Sequence, residues 1–200
     1  MRRLDCSWHD GTVRILEPLS LDTLTTVGVS LPAEPPGTRR VAHMVYIEQV
    51  QLLLTSLDGS PSVVGFDGAS GARRVELAGH QHAPPRLRWL LRLQRLATLG
   101  GGGAPPFGDA AQDGDCSIRL WKLASLSAPP GSAWSIADGP IGVEAQCERV
   151  LLGHMGAVLD ATFLPEASLL VSCAADRTIR FWDSEATPHP LTAPEGGAHV

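Results

Sequence analysis

The chain has 200 residues, 44% of them hydrophobic and 18% charged, with a formal net charge of −5. That composition can build a core and excludes disorder of the whole chain, while the acidic balance argues against a broad phosphate-binding surface. No stretch approaches the roughly 20 apolar residues of a membrane helix, and Asp5, His9 and Asp10 break the run a signal peptide would need after Arg2 and Arg3.

Sixteen prolines and twenty-one glycines predict many turns, as in all-β folds. Cys6, Cys116, Cys147 and Cys173 contain no C-x-x-C pair, and Cys173 lies within a strand pattern. Buried thiols in a reducing compartment are expected, hence a cytoplasmic location, with nuclear and cytoskeletal sites left open.

The first pattern, Asp10-Gly-Thr-Val-Arg-Ile-Leu16, is a turn followed by a strand, preceded by one short strand, so 1–17 is expected to be part of a sheet. Residues 41–76 hold three strand patterns: Val45 to Ile47, Leu52 to Thr55 and Val63 to Asp67. Pro61 places the start of the third after it. Asp67-Gly-Ala-Ser-Gly71 is a hairpin turn, and Arg73 to Leu77 an outer strand.

Residues 77–122 open on Leu77-Ala-Gly-His80, reach Trp89 nine positions later, and close on Asp115-Cys-Ser-Ile-Arg-Leu-Trp121. A glycine- and proline-rich loop, 100–114, interrupts them. A second loop-rich insertion is expected over 123–146, marked by Pro129-Pro-Gly131 and Asp138-Gly-Pro140.

The strongest pattern occupies 147–183. Leu151-Leu-Gly-His154 leads to strands expected at Ala157 to Phe163, Leu169 to Cys173 and Thr178 to Trp182. Pro165-Glu166 and Ala174 to Arg177 are the turns between them. Leu169, Leu170 and Val171 form an apolar run typical of a strand buried on both faces. The last segment, 184–200, reads as a loose tail.

The two later segments repeat each other. Leu77-Ala-Gly-His80 matches Leu151-Leu-Gly-His154, and Asp115 to Trp121 matches Asp176 to Trp182 in spacing. Thr98 and Asp115 stand 17 positions apart, Ser172 and Asp176 four, so 13 residues are inserted. Gly-His, three short strands and Trp182-Asp183, recurring on the scale of about 40–45 residues, closely resemble the WD-repeat family. Phe66 and Leu16 take the tryptophan place in the first two units.

The resemblance implies an all-β, partial WD-repeat propeller of three to four antiparallel four-stranded blades. The chain is expected to begin inside one blade and to stop after the third strand of another. The resemblance also implies two structural hydrogen-bond tetrads: His154, Ser172, Asp176 and Trp182, and His80, Thr98, Asp115 and Trp121. A hydrolase triad is the rival reading of the first set. The order His…Ser…Asp, the missing Gly-x-Ser-x-Gly elbow and the duplication speak against it.

Other clusters read blandly. His80-Gln-His82 could offer two metal ligands, but no third has suitable spacing, so no metal or cofactor is expected. Asp109, Asp113 and Asp115 lack the closing glutamate of a calcium loop, and Gly100 to Gly103 lack the Gly-Lys-Ser/Thr of a phosphate loop. Arg86, Arg88, Arg92 and Arg95 surround Trp89; outward-facing strand residues are favoured over a nucleic-acid site, with Trp89, Leu91 and Leu93 pointing in.

The function implied is non-enzymatic scaffolding of proteins or peptides on a propeller rim, with Gln81, His82, Met155 and Arg177 as candidate contacts. The alternatives are a nucleic-acid-associated propeller using the Arg86 to Arg95 cluster, or a truncated fragment completed by further blades of a longer chain or a partner.

Overall fold

The computed structural model describes residues 4–7, 12–16, 23–28, 39–68, 70–102, 114–125 and 143–183. The tail at 184–200, together with 103–113 and 126–142 of the two insertions, lies outside the described residues.

The strands are β1 (Leu4–Ser7), β2 (Thr12–Leu16), β3 (Thr23–Gly28), β4 (Val41–Ile47), β5 (Leu52–Leu57), β6 (Val63–Asp67) and β7 (Arg73–Leu77). They continue as β8 (Arg86–Leu90), β9 (Arg95–Leu99), β10 (Ile118–Ser125), β11 (Val143–Leu151), β12 (Val158–Leu164), β13 (Leu169–Ala174) and β14 (Ile179–Asp183). Four antiparallel meanders result, of three, four, four and three strands in chain order. The leading strands adjoin in succession, β1 beside β4, β4 beside β8 and β8 beside β12. This is the all-β partial propeller that the repeats predict.

Strand pattern follows burial. All six residues of β5 are buried, because sheets cover both of its faces. β13 differs: Leu170 is 1% exposed, whereas Leu169 and Val171 are only half-buried. The apolar run at Leu169 to Val171 is therefore covered on one face only among the described residues.

Sequence unit and sheet are offset by one strand. β11 pairs with β10 and completes the third sheet, although it directly precedes the Gly-His loop of the next unit. β3 extends the first sheet past residue 17; its Thr-Leu-Thr-Thr-Val-Gly sequence carries little alternation. The 13-residue insertion leaves its hairpin closed at the base, with Gly100 N–H bonded to Ser117 O (2.8 Å) and Gly102 N–H to Asp115 O (2.9 Å).

Three apolar layers join the sheets. Val13 and Val27 meet Leu53, Leu57, Val64 and Phe66 between the first and second. Leu52, Leu54 and Val63 meet Leu87, Leu96 and Trp121 between the second and third. Ala97, Leu99, Ile118 and Leu120 meet Val158, Ala161 and Leu170 between the third and fourth. One inward expectation is corrected: Leu91 is 56% exposed, because it lies on the turn after β8 rather than on the strand. Trp89 and Leu93 do pack against the core layers.

Candidate functional site

Each Gly-His loop drops a histidine between two strands of its sheet. The glycine is required locally. Gly79 and Gly153 have φ of +149° and +151°, values that disfavour a side chain. A Cβ there would also meet Nη1 of Arg119 at 3.0 Å or of Arg180 at 2.9 Å. The chain can therefore cross the arginine and turn the histidine inward.

In the third sheet, Trp121 Nε1–H donates to Thr98 Oγ1 at 2.9 Å, and Thr98 Oγ1 lies 2.6 Å from His80 Nε2. His80 Nδ1 lies 2.5 Å from Asp115 Oδ2. Since Thr98 accepts from the indole, its own proton suits Nε2, which assigns the other imidazole proton to Nδ1, facing the carboxylate. Asp115 Oδ2 also accepts Gln81 N–H (3.0 Å), while Oδ1 accepts Ser117 N–H (3.0 Å) and Oγ–H (2.5 Å).

The fourth sheet repeats the arrangement. Trp182 Nε1–H donates to Ser172 Oγ at 2.8 Å, His154 Nε2 is 2.8 Å from the same oxygen, and His154 Nδ1 is 2.9 Å from Asp176 Oδ2. Met155 N–H (2.9 Å) and Thr178 N–H and Oγ1–H (2.9 and 2.7 Å) complete the carboxylate's partners. All four residues of each set are thus brought together. Burial pushes the Asp115 carboxyl up, but hydrogen bonds from His80 and Ser117 outweigh it and hold the group well below the usual carboxylate range. In Asp176 burial is likewise outweighed, by Met155 N–H, Thr178 and His154.

This geometry offers little chemistry. Both ring nitrogens of each histidine are engaged, so His80 does not pair with His82 toward a metal. Ser172 and Thr98 are 2% and 0% exposed, and each hydroxyl is capped by an indole. Nothing in this arrangement presents a nucleophile to solvent.

The second sheet holds the same positions with other residues. Register places Thr55 opposite Val64, as Thr98 lies opposite Arg119 and Ser172 opposite Arg180. Phe66 replaces tryptophan, Thr55 Oγ1–H instead bonds Val64 O (3.3 Å), and Ser60 Oγ accepts Ser62 N–H (3.3 Å) in the turn. His43 is on β4 and not in a Gly-His loop; its Nδ1 accepts Leu87 N–H at 3.4 Å.

The four rim candidates are all exposed. Gln81 and Met155 each follow a loop histidine, and Arg177 sits at φ +66° in the Ala174–Thr178 turn. A cleft of about 280 Å³ opens between the third and fourth sheets on this rim, lined by Gln81, Cys116, Ser117, Arg119 and Leu152 among others. Of the candidates only Gln81 lines it. Leu152 is 68% exposed beside a Leu151 at 7%. The signal was the Leu-Leu pair itself, since the strand ends on Leu151 and Leu152 opens the Gly-His loop.

The arginine cluster is dispersed. Arg88 forms a two-point pair with Asp160 (2.7 and 2.6 Å) and Arg86 reaches the same carboxylate at 3.5 Å, tying β8 to β12. Arg95 is paired with Glu148 on β11. Arg92 is exposed on the turn after β8.

Repeated meanders, Gly-His loops and doubled hydrogen-bond chains define the WD-repeat β-propeller class. Residues 145–183 match the family model for the WD domain, G-beta repeat, and the chain is a WD-repeat protein. It is 31% identical over 134 residues to Telomerase protein component 1 of Mus musculus, covering 66% of this chain and 5% of that protein. Transcription initiation factor TFIID subunit 5 of Arabidopsis thaliana is 34% identical over 76 residues, covering 36% and 11% respectively. A solved structure of RRP9 WD40 repeats superposes with a TM-score of 0.58 at 18% identity, over 90% of this chain and 44% of that one. The chain thus spans less than half the length of each of these relatives.

Proposed function

We propose that the chain is a non-enzymatic scaffold that holds a protein or peptide on the rim carrying the Gly-His loops, within a larger assembly and in the cytoplasm. The observation that carries this is the cleft between the third and fourth sheets, lined by Leu152 at 68% exposure, with Met155 at 83% on the same Gly-His loop. Apolar side chains displayed on turns of a rigid sheet frame are suited to recognition. One relative is by name a subunit of a transcription factor, which supports assembly in general. Unpaired Cys116, Cys147 and Cys173 support a reducing compartment.

The test combines Leu152→Asp, Met155→Asp and Arg177→Glu with alanine at Gln81 and His82. The expected outcome is a melting temperature near wild type together with loss of the proteins that wild type captures and cross-links at this rim. Unchanged cross-linking by a folded variant removes this rim as the site. The carboxylate partners of Arg86, Arg88 and Arg95 favour the protein-binding reading over the nucleic-acid alternative.

A further inference from the structure

The cleft on the Gly-His rim holds a cation without a counter-ion among the described residues. The strand arginines of the third sheet divide on this point. Arg86 and Arg88 share Asp160, and Arg95 is paired with Glu148. Arg119, on β10, lines the cleft and has no carboxylate partner among the described residues. It is half-buried, its Nη1 lies against Gly79, and its Nε is buried with no hydrogen-bond partner among the described residues. Its polar neighbour is the Cys147 thiol. Burial pushes that thiol up although Arg119 opposes the shift, so the sulfur stays neutral and does not balance the charge. A half-buried guanidinium lacking a charge partner costs stability until an anion meets it.

The surroundings suit an anion beside an apolar group. Arg180 Nη1 lies against Gly153, which lines the cleft, and Arg177 is exposed on the same rim. Neither has a carboxylate partner among the described residues. Against these three guanidinium groups stand two carboxylates, Asp115 and Asp176. Their oxygens already accept from loop N–H groups, hydroxyls and histidines, so they have little left to offer a cationic ligand. Cys116 also lines the cleft; burial and the two aspartates push its thiol up, so it adds no negative charge. Gln81 brings an exposed amide, and Leu152, exposed on the same cleft, brings the apolar wall.

We propose that this cleft binds the carboxylate of a glutamate or aspartate in a partner peptide, with a neighbouring apolar residue of that peptide packed on Leu152. The proposal rests on the rim-scaffold reading above and names the chemistry of its partner. A carboxylate matches the planar fork of Arg119 and supplies the charge it lacks. A basic peptide would meet three arginines and find both aspartates occupied. A phosphate dianion would be repelled by Asp115 and Asp176 more than a single charge is. The cleft volume of about 280 Å³ admits peptide side chains rather than a folded surface.

The probe is an array of short synthetic peptides in which each residue type is set beside a leucine or a serine, incubated with the full chain. Glutamate and aspartate beside leucine should be enriched. The best acidic peptide, followed in solution by fluorescence anisotropy, should lose on the order of 10-fold in affinity when its glutamate becomes glutamine. Arg119→Gln should cost a similar factor, and the two losses should not add. Arg119→Lys keeps the charge and most of the stem, so it should recover part of the binding with an unchanged circular dichroism spectrum. Wild-type binding should also weaken with added salt, a measurement that needs no variant. Leu152→Ser should erase the preference for leucine and keep the preference for acid. Neutral or basic peptides that win the array and still need Leu152 overturn the carboxylate while the rim reading stands. So does a chain that binds no peptide yet cross-links to proteins at this rim, or one that prefers a phosphoserine peptide by more than about 10-fold. Acidic peptides indifferent to Arg119 overturn it too, and if they are also indifferent to Leu152 the rim reading falls with it.

Discussion

The second and third sheets have the same four-stranded order, yet they hold their middle strands by different means. The third threads a polar chain through its interior, from Trp121 through Thr98 and His80 to Asp115. The second has Phe66 and Thr55 at the corresponding register, with Leu52, Leu53, Leu54 and Leu57 at 0% exposure around them. A buried polar chain is stable only when every member is satisfied. The second sheet removes indole, imidazole and carboxylate together, which leaves no orphaned partner and costs little. The lesson is that the tetrad is one way to fix a blade and not a condition of forming one. Removing a single member of an existing tetrad should therefore hurt more than never having had it.

The largest effect should come from Trp121→Ala. It removes a 5%-exposed indole from the layer between the second and third sheets and should cost about 3–5 kcal/mol in chemical denaturation. Trp182→Ala, at a half-buried indole, should fall at or below the lower end of that range. Equal costs for the two would mean that packing does not set the difference.

The sharpest test of the comparison is Thr98→Val against Thr55→Val. Both positions are fully buried and both changes keep the shape. Thr98→Val strands Trp121 Nε1–H and His80 Nε2 at once and should cost roughly 2–5 kcal/mol. Thr55→Val loses one 3.3 Å bond to a strand carbonyl and should stay within about 1 kcal/mol of wild type. Similar losses at both positions, measured by denaturant midpoint, would sink the distinction drawn between the sheets.

Much of the frame was legible beforehand, for a physical reason. The Gly-His loop needs a φ that glycine allows, and Asp176 must close its own turn through Thr178 N–H, so both are locked to short, fixed spacings. β3 was not legible, because Thr23-Leu-Thr-Thr-Val-Gly28 has one weak apolar stripe and depends on Val27 meeting the second sheet. The offset of β11 was partly hidden, since nothing local says which sheet Val143 to Leu151 will pair with. Arg88 and Asp160 are 72 positions apart, so their pairing could be seen only in three dimensions. The rim cleft likewise needs the loops of two sheets at once.

A smaller effect concerns acid. The folded-state carboxyls of Asp115 and Asp176 lie below their unfolded values, so their contribution is complete above the unfolded value of about 3.9 and fades as pH falls from there. Wild type should lose stability steadily below about pH 4. Asp115→Asn should be less stable by about 1–3 kcal/mol at neutral pH, because a neutral amide is a weaker partner for His80 Nδ1–H and Ser117. Its stability should then fall less steeply with acid. Parallel acid slopes for the two proteins would show that this carboxylate does not couple to folding.

The smallest effect should be at Trp89, and it carries the comparison to a third tryptophan. Trp89 packs against the layer between the second and third sheets, as Trp121 does. Its Nε1, however, is buried with no hydrogen-bond partner among the described residues, whereas Trp121 and Trp182 each donate to a hydroxyl. An unmet buried donor is itself a cost of about 1–3 kcal/mol, and Phe removes it while keeping most of the ring's contact area. The lost area and the relieved donor should nearly cancel, which leaves Trp89→Phe within about 1 kcal/mol of wild type. Trp121→Phe loses area and also leaves Thr98 without its donor, so it should be clearly worse. If Trp89→Phe instead destabilises as much as Trp121→Phe, the indole contributes through shape alone, and the hydrogen-bond chain is not what separates the two rings.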